Sequence, residues 1–531
     1  MKKLLLLMGV FLISFQATYA QKKAENVEVK WTKEKKSKKN FYTGGIFAVD
    51  ETGYYMQKIT GLFRPKTYFQ HYDKNFNLDK SYELKLGKGK KQKQALNVLH
   101  LNNKLFFFTS YKNIKNKKHD LYVQTVNKKT LAPNKDIRKL ATIDFTKKSR
   151  RNAGEYTILI SRDSTKVLVY YNLPYKKNEK EKFGFHVYDS NMNEIWKKDI
   201  TLPYIDKLFI IKDFVIDNNG TVHIIGKVYN KKARNKRKGK VNYKYQILSY
   251  YNNGADFKKY DIRLKGKFVK DIIITVNDDN DIICAGFYSD DNKDSVKGTY
   301  FIKINHETKD IMSESYKKFD ANFLTQYLSK GKKKRVKRRI AKGKKVELYH
   351  YDLDDIVIKS DGGAVLVGEY YNVVARTTTS TVNGHTTTRT VYYYYFGNII
   401  AINISPEGTI LWARKVPKNQ VSVNTPGFYT SYAKMITNDK IHFIYNDNPK
   451  NLTTTKNKKG RIYALNSPKK SVITVSTIDM DGKLSRGIIP KPKKSKIYIL
   501  PRVSTQLDDD TMVLFGQRGR KYRFARLIFK D

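Results

Sequence analysis

Short apolar runs alternate along this chain with clusters of Asn, Asp and Gly, and one unit recurs: an apolar run, a tight polar turn, and a second apolar run that often ends in glycine. The clearest copies are Asp213 to Gly220 with Val222 to Gly226, Asp271 to Val276 with Ile282 to Gly286, Asp355 to Ile358 with Ala364 to Gly368, and a late copy holding Met512 to Gly516. Weaker copies at Phe47 to Gln57, Leu96 to Phe108, Tyr156 to Tyr170 and Ala433 to Tyr445 bring the number to eight. The runs are rich in Val, Ile, Tyr and Phe, whose branched or aromatic side chains suit a pleated, half-buried surface, so each copy reads as a β-hairpin. A second hairpin follows after a variable polar loop, as in Phe185 to Trp196, Tyr300 to Met312, Ile399 to Trp412 and Val472 to Leu484. Each unit therefore holds four short strands, and nothing reads as a long amphipathic helix.

Four strands per unit, repeated radially, make the blade of a β-propeller, with the first strand of each unit apolar on successive positions because it lies near the axis. The expected fold is all-β, a single β-propeller of eight blades, or seven if one weak copy is an insertion. The hairpin Asp361-Gly362-Gly363-Ala364-Val365-Leu366-Val367-Gly368 resembles the Asp-Gly-Gly-apolar-Gly repeat of secreted bacterial β-propeller proteins. The other copies depart from it, with Asn-Asn-Gly at 218–220 and Asp-Asp-Asn at 278–280, so the resemblance bears on fold and not on activity. The last unit ends one strand short, since only Tyr522 to Phe529 follows Gly516. Val27 to Trp31 has strand alternation and precedes the first complete unit, so it is expected to close the last blade and remove an exposed sheet edge. An outer-membrane β-barrel is the rival; its strands need about 9–11 residues, more than most of these runs offer.

Composition changes the picture in three ways. With 531 residues, 40% hydrophobic and 13% aromatic, the chain can bury a large core, unlike a disordered polycation. A single cysteine, Cys284, excludes an intrachain disulfide and a cysteine-based zinc site. Lys2 and Lys3, an apolar run from Leu4 to Phe15, and Thr18-Tyr19-Ala20 read as a signal peptide over 1–20, leaving 21–531 as the propeller in a periplasmic or extracellular setting. No cysteine follows the apolar run to carry a lipid, and no later stretch is long and uncharged enough for a transmembrane segment.

Lys and Arg number 104 against 49 Asp and Glu, a formal net charge of +55. In a propeller the loops between second and third strands, and those between blades, emerge on one face, and the tight turns on the other. Basic runs at Lys112–Lys118, Lys176–Lys182, Lys231–Lys240 and Arg518–Arg523 fall between second and third strands, and those at Lys85–Lys93, Lys147–Arg151, Lys332–Lys345 and Lys491–Lys496 between blades. All map to one face, while Asp73, Asp217, Asp278, Asp361, Asp479 and Asp508 map to the other. One such run would be an ordinary solvated loop; eight on one face make a field that captures anions. The densest are Lys332, Lys333, Lys334, Arg335, Lys337, Arg338 and Arg339 in a basic loop over 330–345, and Lys231, Lys232, Arg234, Lys236 and Arg237. Cations at this density suit a repeating polyanion such as lipopolysaccharide, anionic lipid or acidic polysaccharide, or else an acidic envelope protein. Intracellular nucleic acid is not expected, because the leader directs export and no nucleic-acid-binding signature is present. One insertion, Arg376 to Val391, is nearly symmetric about Asn383-Gly384 and reads as a hairpin protruding over the basic face.

Catalytic signatures are absent. The nine histidines show no metal-ligand spacing, and His100, His223 and His442 fall within strands; no metal or other cofactor is expected. There is no nucleophile elbow, phosphate-binding loop or His-Glu-x-x-His, and Asp479-x-Asp481-Gly482 lacks the later ligands of a calcium loop. The reading is a non-enzymatic interaction module. The enzymatic alternative is a polysaccharide lyase acting on an acidic glycan, with His186, His350, Tyr349 and Tyr351 as candidates, and it requires a His, a Tyr and an Arg to meet in one cleft.

Overall fold

The computed structural model describes residues 23–530 except residue 25 and the segments 62–64, 146–151, 232, 234–235, 238–239, 263, 265, 291–294, 384, 438–439 and 454–461. The leader, the run 147–151, Lys232 and Arg234 therefore lie outside the described residues. The protein is mostly β: seven successive antiparallel sheets of four or five strands and an eighth that contains the N-terminal strand, with two further two-stranded ribbons. Strand order along the four main strands of each of the seven follows the sequence, as in Glu155–Ile160, Lys166–Asn172, Lys180–Asp189 and Glu194–Ile205 of the third. Most strands are longer than the apolar runs that signalled them, Glu194–Ile205 spanning 12 residues and His385–Ile404 spanning 20. Strand length is thus a poor ground for rejecting a membrane barrel. The sheets themselves supply a better one, since they are separate, whereas a barrel is one continuous sheet. Among the described residues no helix is long and apolar enough to cross a membrane.

Apolar clusters join each sheet to the next. Phe69 packs with Phe107 between the first and second sheets, Ile225 with Ile274 between the fourth and fifth, and Val367 with Phe443 between the sixth and seventh. Another cluster sets Phe41 and Tyr54 of the first sheet against Val513 and Phe524 of the eighth. In the eighth sheet Val27–Trp31 pairs antiparallel with Lys521–Phe529, Val27 opposite Phe529 and Trp31 opposite Ala525, as its alternation predicts.

The recurrent residues of the repeat have structural causes. Asp213, Asp271 and Asp355 each follow a β-bulge on the first strand of their sheets. Asp271 Oδ1 accepts from its neighbour's Ile272 N at 3.0 Å and its Oδ2 from Leu353 N of the next sheet at 3.0 Å; Asp213 bonds Phe214 N and Ile274 N in the same way. The aspartate thus satisfies backbone groups that the bulge leaves unpaired and latches neighbouring sheets. The glycine ending the second strand makes room for that first strand. A Cβ on Gly286 would stand 2.0 Å from Asp271 O, and one on Gly226 would stand 2.1 Å from the Phe209 ring.

Candidate interaction face

Because strands alternate in direction, the turns after first and third strands leave one end of each sheet, and the second-to-third loops and inter-sheet connections leave the other. The turn ends are stitched together. Asn102 Nδ2 donates to Ser190 Oγ at 2.7 Å, Asp163 N to Asn218 Oδ1 at 3.1 Å, and Asn218 N to Asn280 Oδ1 at 2.9 Å, each across two sheets. Most of their carboxylates serve the turns. Asp189 Oδ1 accepts from Asn191 N and Asn193 N, and Asp479 Oδ1 from Lys483 N at 2.8 Å, so Asp479 acts as turn chemistry.

At the opposite end the basic runs divide by structure. Lys332, Lys333, Lys334, Arg335, Lys337, Arg338 and Arg339 lie not on a loop but on the helix Lys330–Ala341. Lys and Arg are good helix formers, nothing after Gly331 breaks the turn, and Val336 and Ile340, one turn apart, give one half-buried stripe. Ile340 packs beside Phe319, Phe323 and Leu324, which belong to or flank the short helix Ala321–Thr325. The basic charge masked this two-residue stripe, which is why the run reads as a loop. Eight of the twelve helix residues are cationic and none is acidic; all eight are exposed, and among the described residues none forms an ion pair. Lys330, Lys334 and Arg338 follow one another at one-turn intervals of about 6 Å on the side away from Val336 and Ile340.

Of the second group, Lys231 is exposed, and Lys236–Arg237 pairs as a two-residue strand with Lys240–Val241. Elsewhere the structure consumes cations that the sequence counts as free. Lys491 is half-buried and donates to Ser471 O at 2.7 Å and Ile497 O at 2.9 Å, and burial lowers its ammonium to about 8. Arg520 donates to Lys38 O, Arg523 to Thr32 O, and Lys521 pairs with Glu34 at 2.5 Å, so this run ties the N-terminal segment to the eighth sheet.

The segment Arg376 to Val391 pairs on itself as a hairpin. Ala364–Val382 and His385–Ile404 run far beyond the sixth sheet, whose first strand stops pairing at Tyr370. The short strand Gln420–Val423 braces one side of the ribbon at Tyr393–Phe396. Beneath it is a buried polar network for which the sequence carries no signal, because its members lie far apart in the chain. Lys418, fully buried, pairs with Glu369; burial lowers its ammonium, and the Glu369 carboxylate acts in the opposite sense. Glu369 Oε2 accepts from Ser431 Oγ at 2.9 Å, Gln420 Nε2 donates to Asn446 O at 2.8 Å, and Arg486 pairs with buried Asp447 at 2.6 Å. Nearby, Tyr432 donates to Asp354 Oδ2 at 2.6 Å, and dense surroundings raise that carboxyl to about 7 although it touches solvent.

The histidine candidates do not assemble. His223 and His442 are buried against Ser249 and Thr477, and His350 sits beside Tyr349 and Tyr370 in the strand region that opens the sixth sheet, where Tyr351 is buried. His186 bonds Glu194 at 2.7 Å in an open groove of about 560 Å³ between the second and third sheets. That groove also holds Tyr171, Lys139 and Lys197 but no arginine, while the guanidinium of neighbouring Arg138 is engaged by Met192 O. Among the described residues no group of His, Cys, Asp and Glu could hold a metal ion.

No family model matches the chain, and no curated protein matches it in sequence. Among solved structures it is similar to the β-propeller domain of the trilobed protease from Pyrococcus furiosus (12% identity, TM-score 0.28, 66% of this chain and 98% of that one). It is also similar to prolyl oligopeptidase B from Galerina marginata (10% identity, TM-score 0.39, 90% and 55%). A protein of unknown function from Bacteroides caccae aligns at 11% identity and TM-score 0.27, over 72% of this chain and 94% of that one. The succession of separate four-stranded antiparallel sheets makes the architecture propeller-like, and likenesses this weak say nothing of activity.

Proposed function

We propose that the chain is an exported, eight-bladed propeller that binds polyanionic envelope material through its basic face, in the periplasm or outside the cell. The ring is supported by eight apolar clusters that link successive sheets and finally the eighth to the first, with Val27–Trp31 as the last blade's fourth strand. Export rests on the leader-like residues 1–20. The observation that carries the binding reading is the helix Lys330–Ala341, whose eight cations are exposed and, among the described residues, without a carboxylate partner, Arg339 alone donating to a carbonyl, Lys345 O, at 3.1 Å. Neither stability nor solubility calls for such an element, because its like charges one turn apart repel. A ligand with repeating negative charge relieves that repulsion and releases its own counterions.

Binding of inorganic polyphosphate, anionic vesicles and an acidic glycan across a salt titration tests this reading. Replacing Lys332, Lys333, Lys334, Arg335, Lys337, Arg338 and Arg339 by Gln should weaken binding and flatten its salt dependence. If about five of these cations contact the ligand, the logarithmic slope should fall by about 3–4 units, and an unchanged slope would refute this surface.

A further inference from the structure

The protruding hairpin is a ribbon whose two long edges are open. Its register is regular from Tyr371 opposite Phe396 to Val382 opposite His385, and two contacts at its base fix which residues aim their backbone groups outward. Tyr371 N donates outward to His350 O at 2.7 Å, and Asn424 N donates to Tyr392 O at 2.8 Å while Tyr392 N donates to Asn424 Oδ1. An antiparallel ladder alternates, so Val373, Ala375, Thr377, Thr379 and Thr381 on one edge, and Thr386, Thr388 and Thr390 on the other, also face outward. The threonine pairs agree with this assignment. Thr377–Thr390, Thr379–Thr388 and Thr381–Thr386 hydroxyls lie 3.0, 3.3 and 3.0 Å apart, the close approach expected of pairs that exchange no backbone bonds. Among the described residues nothing pairs with these outward groups.

Proteins usually blunt such an edge with proline, lysine, a bulge or a covering loop. Here the edge from Val373 to Thr381 has no proline, no lysine and no register shift, and it extends about 37 Å from Tyr371 to Val382. An isolated two-stranded ribbon is marginal in water, so one with both edges open is built to receive a further strand. The short strand Gln420–Val423 already does this at the base, after which the chain turns away at Asn424.

We infer that the edge Val373–Thr381 accepts an extended, acidic segment of another protein as an added β-strand. Charge selects the occupant. The sequence has no Asp or Glu between Glu369 and Glu407, and two exposed cations share one face of the ribbon, Arg376 on the open-edge strand and Arg389 opposite Thr378 on its partner strand. A second copy of this chain is disfavoured, because each copy carries a formal +55. The site is independent of the polyanion reading, and each can fail while the other stands.

The test uses the full chain and an end-capped twelve-residue peptide alternating valine and glutamate, beside an analogue of equal charge methylated on every backbone nitrogen. The unmodified peptide should bind at least tenfold more tightly than the analogue. Thr377→Pro with Thr379→Pro removes two outward donors while sparing the bonds within the hairpin, and should weaken peptide binding at least tenfold with inorganic polyphosphate binding unchanged. Absence of peptide binding, equal binding of the two peptides, or indifference to the double substitution overturns the inference; equal binding would assign the arm to the polyanion surface.

Discussion

Substituting Lys30 by proline tests whether the N-terminal strand completes the eighth sheet. Thr32 N donates to Phe524 O at 2.9 Å and Lys530 N to Asn26 O at 2.8 Å, so by alternation Glu28 and Lys30 are the inward, hydrogen-bonded positions of Val27–Trp31. The Lys30 side chain is 68% exposed and pairs only with Glu28 on the surface, so Lys30→Ala should change stability by less than about 0.5 kcal/mol. Proline at the same place removes the backbone donor opposite Arg526 and leaves its partner carbonyl unpaired. The lost ladder bond costs about 1 kcal/mol and the orphaned acceptor about 1–3 kcal/mol, so Lys30→Pro should cost about 2–4 kcal/mol in all. Urea unfolding of both variants reads the difference, and hydrogen exchange over Lys521–Phe529 locates it, since those amides should lose protection in Lys30→Pro alone. If the proline and alanine variants are indistinguishable, the strand does not hold the eighth sheet and the proposed closure fails.

Three further outcomes are expected. Gly286→Ala should destabilise the protein by about 2–4 kcal/mol in denaturant titrations, because the new methyl meets the Asp271 carbonyl and no side-chain rotation relieves it. Glu369→Ala leaves buried Lys418 without its counter-charge and should cost about 3–5 kcal/mol, with faster proteolysis of the ribbon it underpins, whereas Glu407→Ala should do neither. Burial, then the nearby Lys440 charge, lowers His442 to about 3, so the unfolded chain binds its proton first as pH falls below the ordinary histidine value. That residue's contribution to stability is complete above about pH 6.5 and shrinks toward pH 3, so His442→Gln should flatten the acid limb of a stability profile between those values.

Strand and turn assignments were legible in the sequence because their causes are local. Alternation of side chains with a period of two places Val27–Trp31 in a sheet, Asn383-Gly384 marks the hairpin, and the Asp and Gly of the repeat announce a bulge and the space it needs. Charge was legible only as a sum. That Lys332 to Arg339 forms an exposed helix depends on Ile340 packing against the cluster that holds Phe319 and Phe323, which lie some twenty residues earlier in the chain. Whether a cation is free is likewise a tertiary property. Lys491, Arg520, Lys521 and Arg523 look like Lys332 in sequence, yet packing sets carbonyls or Glu34 against them. The Lys418–Glu369 pair beneath the arm had no sequence signal at all, because nothing local distinguishes a lysine that will meet a carboxylate in a dry core from one that will meet water. The sequence determined by itself most of the strands, the repeat and the sign of the charge; the tertiary structure decided that the basic run is a helix, which charges face outward and which edge stays open, because these depend on contacts that no local pattern announces.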